Sequence, residues 1–370
     1  MGSIINNGTT TGTTTISGVI GSAVTGITEN SSTSTLILSG ANTTYAGTTT
    51  LTLGTLQGLN SGITNVLQAF GTGQLNLNGG TLQLRANGSG IGVTITASNN
   101  VVVGGTTTIN VDRNSTSPTA NTGNTFSMGT LSIGAFTLNV TGANSYALQF
   151  GATTLTGNAT FNPTTANLTL GALNDGGIAR TITKAGSGTL TIGTNATSLV
   201  DGTAVGITGG ILNSNAASSL GSFANVTIST GATFAIGASQ TIGALNSSGT
   251  GSVTLGANAL TIGNTNNLNS NFAGVISETG GSIVKNGTGS LTLSGANLFT
   301  GGVTINAGTL TAGSTTALGP AANATLTFGA SSTGKFQLNG FSTTIIDLTT
   351  NATVGTPIIE DGAAGAATLT

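Results

Sequence analysis

The 370-residue chain has no cysteine, no histidine and no tryptophan, only 4 prolines, and only 14 charged residues, 6 basic and 8 acidic. The missing cysteine excludes disulfides and thiolate metal sites. The missing histidine removes the commonest general base and the commonest metal ligand. Charged residues make up 4% of the chain, against roughly 25% in an ordinary soluble domain. A formal net charge of -2 leaves no basic stripe for nucleic acid and no polybasic patch for anionic lipid. No apolar run approaches the ~18 to 20 residues of a spanning helix. The opening Met1-Gly2-Ser3-Ile4-Ile5 has neither a basic region nor an apolar core, so no signal peptide is read there. Disorder fits poorly, because 37% of the residues are hydrophobic and net charge is low.

What is present is alternation. Thr35-Leu36-Ile37-Leu38, Thr81-Leu82-Gln83-Leu84, Thr189-Leu190-Thr191-Ile192 and Ser290-Leu291-Thr292-Leu293 place apolar residues at every second position. A period of two puts these on one face of a strand and Thr, Asn or Gln on the other. The outward threonines are β-branched and favour strands as well. The strands are short and are separated by Gly, Asn and Ser, and 61 glycines suffice for nearly every turn. No stretch sustains a 3.6-residue period.

The chain repeats itself. Ile283-Val284-Lys285-Asn286-Gly287-Thr288-Gly289-Ser290-Leu291-Thr292-Leu293-Ser294-Gly295-Ala296-Asn297 runs on through Gly302-Val303-Thr304-Ile305-Asn306-Ala307-Gly308-Thr309-Leu310 to Ala317-Leu318-Gly319. A second copy begins at Ile182-Thr183-Lys184-Ala185-Gly186-Ser187-Gly188-Thr189-Leu190 and closes with Ser219-Leu220-Gly221. A third is Leu36-Ile37-Leu38-Ser39-Gly40-Ala41-Asn42, followed by Tyr45, Gly47, Leu51, Gly54 and Leu56. A shared lead-in, Gly18-Val19-Ile20 and Gly274-Val275-Ile276, precedes two of them. Leu291 and Leu310 are 19 residues apart, and Leu190 and Leu212 are 22 apart. Copies that keep inward leucines and turn glycines imply stacked coils. The expectation is an all-β fold, a right-handed parallel β-helix (β-solenoid) with about 20 residues per rung and roughly 18 rungs, continuous over residues 1–370. Leu36, Leu38, Leu190, Ile192, Leu291, Leu293, Ile305 and Leu310 are expected to point inward.

These words resemble the passenger-associated β-strand repeat of bacterial autotransporters and other large secreted bacterial proteins. The resemblance is close across 272–319 and partial at 180–221 and 16–56. It implies a β-helix displayed outside a bacterial cell, often in an adhesin, and it carries no catalytic residues. The pattern of a C-terminal membrane barrel is not read in this chain. The chain is therefore expected to be a passenger segment, or a secreted protein that uses the repeat alone.

Candidate sites are few. The acids are Glu29, Asp112, Asp175, Asp201, Glu278, Asp347, Glu360 and Asp361. Asp175 and Asp201, 26 residues apart with Arg180 and Lys184 nearby, are the best catalytic pair for a polysaccharide-active enzyme. Turn caps and a local ion pair are the preferred reading of them. Lys184 and Lys285 share one repeat position, with Asn30 near it in the first copy. They are read as exposed turn residues that discourage lateral strand pairing. Asp112-Arg113 leads into Asn114-Ser115-Thr116-Ser117-Pro118, read as a loop off the coil. The Asn-x-Ser/Thr triplets follow from composition, stacked asparagines at equivalent turns are expected to form amide ladders, and the threonine runs are too irregular for an ice-binding array. No catalytic, cofactor or metal residue is assigned and no cofactor is expected. The expected function is a non-enzymatic extracellular structural solenoid that stacks end to end with copies of itself, without nucleic acid or a membrane span. A glycan-binding adhesin passenger is the first alternative and a polysaccharide-active enzyme the second.

Overall fold

The computed structural model describes residues 2–114, 121–193, 198–265, 267–353, 355–363 and 365–370. The polar excursion Ser115–Pro118 lies outside the described residues. The chain divides into two compact units, residues 1–176 with 185–191, and residues 177–184 with 192–370. Both are parallel β-solenoids, with no helix among the described residues, as expected for a right-handed β-helix. There are about 22 residues to a turn and about 16 turns. The turn is longer than the 20 residues expected because irregular excursions interrupt the strands, as between Leu59 and Leu75.

In the first unit, strands Val24–Leu38 and Thr48–Leu59 pair in parallel, with a register shift at Glu29/Asn30. Beyond them the coil has three faces. Leu75–Leu77, Val101–Val103, Leu131–Ile133 and Thr153–Leu155 stack on one. Thr81–Arg85, Thr107–Asp112, Thr137–Gly142 and Ala159–Pro163 stack on the next. Thr94–Thr96, Thr125–Ser127, Ala147–Gln149 and Leu168–Leu170 form the third.

In the second unit one stack runs Gln240–Ile242, Ala259–Ile262, Ser282–Lys285, Val303–Ile305, Thr325–Phe328 and Asp347–Thr350. Another runs Ser270–Phe272, Ser290–Leu293, Thr309–Ala312, Lys335–Gln337 and Ile358–Glu360. Like residues often meet in register: Leu291 pairs with Leu310, and Thr292 with Thr311. All eight residues expected to point inward are buried. The stacking is not leucine on leucine throughout, since Leu293 faces Ala312 and Leu310 faces Phe336. Aromatic rings such as Phe272, Phe299 and Phe336 are fully buried among the aliphatic residues. Outward residues on successive coils also bond, as in Asn306 Nδ2 to Asn286 Oδ1 at 2.7 Å and Asn162 Nδ2 to Asn139 Oδ1 at 2.6 Å. These are single amide pairs and not extended ladders, the first at equivalent turns as expected and the second within strands, and hydroxyl pairs such as Thr327–Thr349 at 2.9 Å accompany them.

Candidate functional site

The repeat's polar residues do their work inside the coil. Asn42 and Asn297 occupy the same place in two copies, and both are fully buried. Asn297 Oδ1 accepts from the Ile276 N–H at 3.0 Å, and its Nδ2 donates to the Ala317 carbonyl at 3.1 Å. Asn42 repeats this with the Ile20 N–H at 2.7 Å and the Ala69 carbonyl at 2.6 Å. Each amide therefore ties its own coil to the one before and the one after. This explains why the lead-in Gly-Val-Ile travels with Ser-Gly-Ala-Asn, because its isoleucine supplies the amide that the asparagine catches.

The lysines correct the sequence reading. Lys184 and Lys285 are 0% and 1% exposed and are not surface residues. Each closes a strand, Thr181–Lys184 or Ser282–Lys285, two residues after a buried isoleucine and therefore in the inward phase. Lys285 Nζ donates to the carbonyls of Asn286 at 2.5 Å, Gly287 at 2.8 Å and Ala307 at 3.3 Å. Lys184 Nζ donates to the Gly209 carbonyl at 2.8 Å. Burial pushes both ammonium groups down to about 8.

In the first copy the inward slot holds Glu29, not Asn30. Ile27 and Glu29 are buried two apart, as Ile283 and Lys285 are, whereas Asn30 is exposed. The pairing is irregular at both Glu29/Asn30 and Asn30/Thr35, and the second irregularity takes up the one extra residue between this slot and Leu36. The Glu29 carboxylate accepts from Asn6 Nδ2 at 2.6 Å and from the Ser31 N–H at 2.8 Å. Burial nevertheless pushes its carboxyl up. The sign of the slot thus follows its lining: carbonyl acceptors surround the lysine, and N–H donors meet the glutamate.

The proposed acid pair has unlike members. Asp175 belongs to the first unit and is buried, while Asp201 belongs to the second and is exposed. Arg180 is half-buried and Lys184 is committed to the interior. The remaining acids are dispersed. Asp112 accepts from Asn144 at 2.7 Å, Glu360 pairs with Lys335 at 3.0 Å, and Asp361 accepts from the Gly340 and Ala367 N–H groups. Among the described residues no group of three His, Cys, Asp or Glu side chains converges to hold a metal ion.

Three surface clefts among the described residues are small and uncharged. Two of about 160 and 200 Å³ flank the excursion at Val66 and Gln68, with Thr43, Thr72, Asn60 and Thr64 on their walls. A third, shallow one of about 380 Å³ lies along Asn264, Thr265, Asn267, Asn286 and Gly287. None of the three is lined by a titratable side chain, so none offers an acid, or a base to activate the serine and threonine hydroxyls on its walls.

Two segments, residues 31–57 and 283–312, match the family model described as the passenger-associated-transport-repeat. They overlap two of the three self-similar segments of the sequence. The third, 180–221, lies outside the matched residues although it buries its lysine as Lys285 is buried. No curated protein and no solved structure matches the chain.

Proposed function

We propose that the chain is a non-enzymatic scaffold of a secreted or surface-displayed bacterial protein, of the autotransporter passenger type. The observation that carries this reading is the use made of the repeat's polar residues. In the matched segments Asn42, Asn297 and Lys285, and just ahead of the first of them Glu29, are spent on bonds between or within coils, leaving threonine and asparagine faces outside. A passenger needs a stable extended scaffold without disulfides, and a ladder of stacked coils supplies one. The scattered acids and the uncharged clefts support the non-enzymatic part. Protease treatment of intact cells of the native bacterium tests it: the chain should be cleaved from the surface or recovered from the medium. Recovery only from the cytosol would overturn it.

The same reading extends to self-association. Leu348 lies in register with buried Leu326, and Ile359 with buried Phe336, yet they are 47% and 37% exposed. A further coil stacked on this column would cover them, whether it comes from a longer natural chain or, as proposed here, from a second copy of the chain. Such a head-to-tail contact does not close on itself and propagates as a fibre, with little charge to oppose it. Light scattering across concentration and electron microscopy test this part. A chain that stays monomeric with no fibres would sink it.

A further inference from the structure

The corner that holds Lys285 has the makings of an ion site. An ammonium has three donors, and three carbonyls receive them, those of Asn286 and Gly287 in its own turn and of Ala307 in the next coil. The corner is dry, since Lys285 is 1% exposed, and among the described residues no carboxylate lies within ion-pairing distance of Nζ. The positive charge is met by carbonyl dipoles, the groups that hold potassium where backbone carbonyls replace its water. The next coil is shaped to leave the space. Gly308 has φ +70°, and a Cβ added there would meet the Gly287 and Gly289 carbonyls and Lys285 Nζ itself. Glycines with positive φ recur at the equivalent places, Gly54 and Gly210.

We propose that this corner is a carbonyl-lined site for a monovalent cation of ammonium or potassium size, which the chain fills with its own lysine. The lysine stem delivers the ion, and the ion joins the turn of one coil to the turn of the next. The Glu29 corner, lined by N–H donors, is the opposite case and does not accept a cation.

The test is to remove the stem and return the ion. Lys285→Ala should lower the midpoint of denaturant unfolding in sodium chloride. Ammonium or potassium chloride at equal ionic strength should restore at least half of that loss, with saturation. The native chain and Glu29→Ala should respond alike to the three salts. An equal response in the native chain, or no recovery in Lys285→Ala, overturns the proposal, as does failure of the variant to fold in ammonium. A second measurement uses the native chain with acetic anhydride and peptide mass analysis. Lys335, 31% exposed at its side chain, should be acetylated while Lys285 is spared. Equal modification of the two would show that the corner is not closed around an ion.

Discussion

An ammonium in a dry interior loses its hydration, and the lysines at 184 and 285 show that loss by releasing their protons near 8 and not near 10.5. The unfolded chain holds these protons to higher pH than the folded one. Between about pH 8 and 10.5 the unfolded state therefore binds more protons, and stability rises with pH through that window. The shift corresponds to about 3 kcal/mol for each lysine. Unfolding midpoints measured from pH 7 to 10.5 should increase, and Lys285→Ala should remove about half of the increase. A flat or falling profile would contradict the burial. Glu29 acts at the other end: its carboxyl is raised, so its contribution grows as pH falls below the raised value and fades above it. Glu29→Gln should abolish that acid-side gain. At apolar positions the cost of a charge is simpler. Leu293→Asp puts an unpaired carboxylate into the column and should cost several kcal/mol by denaturant unfolding.

At the scale of strand and turn, the bonds that cross between coils set the spacing of the repeat. Asn297→Ala leaves the Ile276 N–H and the Ala317 carbonyl without their partner, at a cost on the order of 2 kcal/mol or more. Thr292→Ala, on the outward face, should cost well under 1 kcal/mol. Equal losses in the two variants would deny the asparagine its linking role. Much of this was legible beforehand. Alternation placed Leu291, Leu293 and Leu310 inside, and the repeated words marked where coils begin. The same alternation also placed Lys285 in phase with Ile283, and Glu29 in phase with Ile27. Charge misled the reading there, because a lysine is ordinarily a surface residue. What shelters it is a set of main-chain carbonyls, which no side-chain pattern announces. The partners of Asn297 were hidden for a related reason, since one is a backbone amide 21 residues away. Turn length was underestimated because excursions such as that between Leu59 and Leu75 have no periodicity from which to count.

For the molecule as a whole, chemistry and architecture make separate demands. A panel of polysaccharides incubated with the protein should release neither reducing ends nor unsaturated sugars. Turnover that disappears in Asp175→Asn or Asp201→Asn would make the chain an enzyme after all. Architecture rests on one claim, that successive coils run parallel and in register, and the cysteine-free sequence allows it to be tested by cross-linking. Thr292 and Thr311 are direct partners on the outer face, while Thr309 is displaced by two residues along the same strand. Direct partners on adjacent strands lie within the span a disulfide bridges, about 4.4–6.8 Å between Cα atoms. The diagonal pair, at about 7–8 Å, does not. The account predicts that Thr292→Cys with Thr311→Cys oxidises to an intramolecular disulfide in the folded protein, and that Thr292→Cys with Thr309→Cys does not. Cross-linking of the diagonal pair alone, or of neither, would contradict the stacked coil.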